Sequence, residues 1–246
     1  MKFWKSTILG VLVLSVFFGT SGADTILFEA MFESPDYVLG DLNGQQGWTA
    51  DTFPGDCVIS DAFAMEGTQS LFIWGDGNFD GYPHLGALHS FPNPVGIENI
   101  VTAQFMAAIS SPSTGGNNFF VVLGDGTNAA GYLIFVWNQG LMVNGIATGY
   151  TYPYNTPMPV TMTADFNTET FDVKIGNTLV ADDYPFVSSG MTALNEILFA
   201  LDDYDAGQVM VVDALRIVSV PEPATLCLLA AGAGGLLLRR RLRHLG

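Results

Sequence analysis

One stretch of the chain sets oxygen donors at the spacing of a cation loop. Asp76-Gly77-Asn78-Phe79-Asp80-Gly81 matches Asp-x-Asn-x-Asp-Gly, in which oxygens at positions one, three and five converge on calcium and the glycine at six allows the bend. Position twelve, where a bidentate carboxylate would close such a site, is Ala87. The run therefore reads either as a calcium loop completed from elsewhere or as an Asp/Asn/Gly turn. A second chemistry is sugar stacking, in which a pyranose lays its C–H face on an aromatic ring while Asp and Asn bond its hydroxyls. Trp74, Tyr82, Tyr150, Tyr152 and Tyr154 are the candidates; the three alternate tyrosines would share one face of an extended segment. Packing in the core or at an edge is the competing use of these rings, and Trp137, inside an apolar run, reads as core.

Motifs for covalent or acid–base catalysis are weak. Glu169 and Asp172 are three apart, hence on opposite faces of a strand, and Asp202-Asp203-Tyr204-Asp205 reads as a turn. His84 and His89 form no His-x-x-x-His pair, and no Gly-x-Ser-x-Gly occurs. Gly75-Asp76-Gly77 and Gly124-Asp125-Gly126 lack the lysine of a phosphate loop and read as turns. No cofactor is required by any of these residues, and calcium is the candidate metal. Cys57, followed by Val58 and Ile59, reads as a small buried apolar residue rather than a nucleophile.

The elements that must position such groups are short apolar or alternating runs. They lie near 26–32, 57–63, 69–74, 86–91, 99–110, 117–123, 131–137, 140–146, 159–166, 170–175, 178–182, 194–201 and 208–218, separated by Gly, Asn, Asp and Pro. Tight turns at Gly176-Asn177 and Asn138-Gln139-Gly140 join neighbouring runs into hairpins. Thirteen short strands without a helical window predict an all-β, two-sheet antiparallel β-sandwich of the jelly-roll kind.

The two ends differ from this middle. Lys2 and Lys5, an apolar run from Ile8 to Phe18 and Ser21-Gly22-Ala23 make a signal helix over residues 1–23, cleaved between Ala23 and Asp24 by signal peptidase. Residues 220–246 carry Pro221-Glu222-Pro223, fifteen uncharged residues from Ala224 to Leu238 as a short transmembrane helix, and Arg239, Arg240 and Arg241. Residues 24–219 remain as the β-sandwich domain. Of the eight basic residues, only Lys174 and Arg216 fall there, against 23 of the 24 acidic ones, so its formal charge is −21. That charge excludes nucleic acid and anionic lipid as partners of the domain.

The tail resembles the PEP-CTERM sorting domain of Gram-negative bacteria in all three parts and their order. The resemblance implies processing by an exosortase after transient anchoring in the inner membrane by the C-terminal segment. Release or attachment at the cell surface follows, in bacteria that make extracellular polysaccharide. The domain more loosely resembles the concanavalin A-like lectin and glucanase superfamily, through Leu27-Phe28-Glu29-Ala30-Met31-Phe32-Glu33, the Phe171 hairpin and Val211-Val212-Asp213-Ala214-Leu215-Arg216-Ile217. That resemblance implies paired first and last strands and makes Glu33 and Asp213 candidate calcium ligands. Glucan-hydrolysing members use Glu-x-Asp-x-x-Glu, which is absent here. The expectation is an exported, non-enzymatic cell-surface or matrix protein with polysaccharide as its partner. The alternative is a polysaccharide-active enzyme, a glycoside hydrolase or lyase, whose carboxylates converge from distant strands.

Overall fold

In the computed structural model the described residues are 24–50, 57–75, 84–93, 100–112, 115–202 and 207–220. The signal segment with Ala23, the loop residues Asp76, Asn78 and Asp80, Tyr82, and Pro221, Glu222, Pro223, Arg239, Arg240 and Arg241 lie outside them; Asp24 is exposed.

Period-two alternation becomes strand after strand. In chain order these are β1 (Thr25–Ala30), β2 (Gly40–Asp41), β3 (Thr49–Ala50), β4 (Cys57–Ser60), β5 (Ser70–Trp74), β6 (His84–Ser90), β7 (Ile100–Ile109) and β8 (Phe119–Gly124). Then come β9 (Ala129–Phe135), β10 (Gly140–Val143), β11 (Ile146–Thr151), β12 (Met158–Asp165), β13 (Thr170–Ile175), β14 (Thr178–Pro185), β15 (Glu196–Leu201) and β16 (Val209–Val220). Among the described residues the sole helical turn is the short Gln45–Gly47. No helix there is long and apolar enough to cross a membrane.

Two sheets result. The nine-stranded sheet runs β14-β13-β12-β7-β16-β5-β4-β2 with β1 also on β16, and the seven-stranded sheet runs β11-β10-β9-β8-β15-β6-β3. The fold is the antiparallel sandwich expected, and the first and last strands do pair. The inner faces meet through large rings: Phe105 of β7 lies edge-on to Phe199 of β15 at 5.7 Å between centroids. Gly131 of β9 makes room for the Phe171 ring of β13, since a Cβ there would come within 2.4 Å of the ring. A larger residue at either position would force the sheets apart.

The outer faces differ in chemistry. On the nine-stranded sheet Thr102 stands opposite Thr163, and Thr161 stands between Gln104 and Lys174. On the seven-stranded sheet Leu198 stands between Leu88 and Val122, and Ile134 between Phe120 and Met142. These apolar side chains are half-buried by one another and carry no covering layer among the described residues.

Candidate functional site

A groove of about 440 Å³ opens on that apolar face. Leu88, Val122 and Leu198 form its floor, supplied by β6, β8 and β15. The β8–β9 hairpin makes one wall with Thr127 and Asn128, and Glu196, at the start of β15, stands beside it. The hairpin is shaped by Asp125, whose Oδ1 accepts the backbone N–H groups of Thr127 at 2.9 Å and Asn128 at 2.7 Å. Those donors hold the Asp125 carboxyl below the usual carboxylate range. Gly126 follows at φ +84°, and a Cβ there would lie 2.9 Å from Glu196 Oε2. Glycine is therefore required both for the turn and for access to the carboxylate. Gly124-Asp125-Gly126 is the expected turn, but the groove it walls was not legible: Leu88, Val122 and Leu198 are ordinary strand residues until the register sets them side by side.

The tyrosines do not share an exposed face; packing, the competing use, claims them. β11 ends at Thr151, and the Tyr152 ring turns inward, 0% exposed, edge-on to Phe135 at 5.5 Å. Its hydroxyl donates to the Val136 carbonyl at 2.7 Å, and burial pushes its phenol pKa up. A sugar cannot reach that ring. Tyr154 is partly buried against Tyr152, with its hydroxyl donating to the Trp137 carbonyl, and Tyr150 packs against the core. Trp74 is half-buried on β5, paired with Val209. Trp137 corrects the reading in the opposite direction: it leaves the apolar run of β9 at a hairpin tip and is 47% exposed.

Glu33 and Asp213 are brought to one loop, residues 61–69, as hydrogen-bond acceptors. Glu33 Oε1 takes the N–H groups of Thr68 at 2.6 Å and Gln69 at 2.9 Å, and Oε2 takes the Thr68 hydroxyl at 2.7 Å. These bonds lower the Glu33 pKa. Asp213, fully buried, receives on Oδ2 the N–H groups of Met65 and Glu66 at 3.1 and 2.8 Å and the Ser70 hydroxyl at 2.8 Å. Ala214 N–H donates to Oδ1. The lone pairs a cation would need on these carboxylates are directed at N–H and O–H donors. Their geometry is that of an anionic latch, which does not fit the calcium-ligand role. The latch sits where β16 ceases to pair with β5, after Val212.

Three carboxylates that sequence spacing did not join, Asp172, Asp182 and Asp183, have oxygens within 4.8 Å of one another at the bulged β13–β14 ladder. Asp172 Oδ1 accepts the Asp183 N–H at 2.7 Å within that irregular stretch. Cys57 is buried, as its neighbours implied.

Residues 219–241 match the family model described as the PEP-CTERM protein-sorting motif. The motif marks an exported, membrane-transiting chain that is a substrate for exosortase processing. No curated protein sequence matches the chain. Among solved structures it is similar to a cellulose-induced protein, Cip1, with TM-score 0.54 and 14% identity over 79% of this chain and 98% of that one. It is also similar to a sialidase, with TM-score 0.57 and 11% identity over 80% of this chain, which spans only 19% of the sialidase. A carbohydrate esterase from the Shiga toxin-encoding bacteriophage phi24B aligns with TM-score 0.51 and 15% identity, over 81% of this chain and 100% of its own. Identities of this size establish a shared β-sandwich.

Proposed function

We propose that this exported chain is a non-enzymatic glycan-binding protein of the cell surface or extracellular matrix, and that the groove on the seven-stranded sheet is its binding site. The observation that carries the reading is the groove's composition. An aliphatic floor of Leu88, Val122 and Leu198 suits the C–H face of a sugar ring, and Glu196, Asn128 and Thr127 offer hydrogen-bonding groups to hydroxyls at its edge. The names of the sialidase and the carbohydrate esterase, both tied to saccharides, support it as analogy of fold. Glycoside hydrolysis by the usual mechanism needs two carboxylates facing one bond, and among the described lining residues Glu196 is the one carboxylate.

The test is a glycan array followed by a reducing-sugar assay on every glycan retained. Binding without release of reducing ends is expected, with Glu196→Gln weakening the retained glycan about tenfold, the loss of one charge-assisted hydrogen bond. Release of reducing ends would make the protein a hydrolase, and an empty array would leave it a structural matrix component. The proposal keeps a structural calcium for the Asp76-Asn78-Asp80 loop alone. Millimolar calcium is expected to raise the Tm of the protein, and Asp76→Ala with Asp80→Ala to abolish the rise; a wild type indifferent to calcium removes the metal from the account.

A further inference from the structure

Trp137 sits at the tip of a hairpin that several hydrogen bonds hold in place. Its N–H donates to Asn118 Oδ1 at 3.1 Å, and its carbonyl accepts the Tyr154 hydroxyl. Asn118 is fixed in turn by Asp202, only 6% exposed, which accepts the Asn118 backbone N–H at 2.7 Å and its side-chain amide. One residue earlier, the Val136 carbonyl accepts both the Tyr152 hydroxyl at 2.7 Å and the Gln139 N–H at 2.9 Å. The tip is closed by Val136 N–H to the Gly140 carbonyl at 2.9 Å, with Gln139 at φ +70°. Gly116 completes the seat, because a Cβ there would meet Trp137 Cβ at 2.4 Å. Two tyrosine hydroxyls thus brace two consecutive carbonyls of one hairpin, and Trp137 as a whole residue remains 47% exposed while Trp48 is buried.

We infer that Trp137 is a second glycan-binding site, a stacking platform for a ring of a neutral polysaccharide. This rests on the glycan-binding reading and adds a site to it. The braced hairpin adds no loop-ordering cost when a ring docks, so the freedom lost is confined to the two side-chain torsions of the indole. Charge selects the ligand class: the domain's formal −21 repels uronate- or sulfate-bearing chains and anionic lipid, leaving neutral sugars. The site lies apart from the groove. β8 and β9 connect at residues 125–128 beside the groove, whereas Trp137 follows the far end of β9, where Phe135 pairs with Phe119. The six residues of β8 set the two about 17 Å apart along the strand.

The test is affinity electrophoresis of the purified protein through gels containing hydroxyethyl cellulose, xyloglucan, galactomannan or a β-1,3-glucan, with alginate as the anionic control. Wild type is expected to be retarded in at least one neutral gel and not in alginate. Trp137→Ala should weaken that retardation about tenfold, Trp137→Phe should retain part of it, and Tyr154→Phe, which removes only the brace, should lose an intermediate share. Both bonds that hold Trp137 are made by its backbone, so an unchanged Tm is expected for Trp137→Ala. If no gel retards the wild type, the glycan-binding reading falls and this site with it. If Trp137→Ala is retarded like wild type while Glu196→Gln is not, the groove stands and the platform is overturned. Trp137-dependent partition onto zwitterionic phosphatidylcholine vesicles, without retardation, would overturn the sugar assignment in favour of lipid.

Discussion

His89 is held between the rings of Phe28, stacked at 3.7 Å, and Trp48, edge-on at 5.0 Å, with Nε2 near the Gln46 carbonyl at 3.1 Å. Its Nδ1 has no partner, and burial pushes its pKa below the ordinary 6.5. The folded chain therefore keeps the ring neutral while the unfolded chain protonates it. Stability is complete above the unfolded value of about 6.5 and falls as pH drops toward the lower folded value. Urea midpoints measured from pH 7.5 to 5 should decline in wild type and decline less in His89→Phe; parallel slopes would clear His89. Keeping the range above pH 5 separates this from Glu33, whose lowered carboxyl contributes stability that is lost only as acid passes below about 4.5. Neither environment was visible in advance. His89 is flanked by Leu88 and Ser90, and only the pairing of β6 with β15 turns it inward.

At the scale of elements, Gly131 and Phe171 make one joint between the sheets, and its stiffness is measurable. Gly131→Ala places a methyl where the ring lies and should cost about 1–3 kcal/mol in denaturant unfolding, as overpacking does. Phe171→Leu in the same chain should recover part of that loss; strictly additive costs would mean the two do not meet. The strands themselves were largely legible, because alternation of buried and exposed positions is written into stretches such as Met158–Asp165. The two-residue β2 and β3 are too short to carry a period, and β11, with its Thr and Gly, lacks one. The turn before β11 falls inside the single run read over 140–146: Asn144 and Gly145 both adopt positive φ, the Asn-Gly signature of a tight hairpin, and divide that run between β10 and β11. The groove and the Trp137 seat were not readable, since each gathers residues more than fifty positions apart through register.

At the scale of the whole molecule, residues 24–219 form an acidic body, with 23 carboxylates against Lys174 and Arg216. Both lie on strands of the nine-stranded sheet, so the described strands of the seven-stranded sheet and the groove carry no Lys or Arg. Self-repulsion of this size weakens as salt screens it. The Tm should therefore climb by several degrees between 10 and 300 mM sodium chloride, most steeply at the low end, where the Debye length falls from about 30 Å toward 8 Å. A flat or falling curve would show that the carboxylates are already neutralised. β16, twelve residues long and flanked in its sheet by β7 and β5, ends at Val220, where the sorting motif begins. If the protein is tethered by that end, flow across the cell surface loads the domain along a central strand. Detachment then requires a whole ladder to slip at once, and the fold meets traction as a rivet does, in shear.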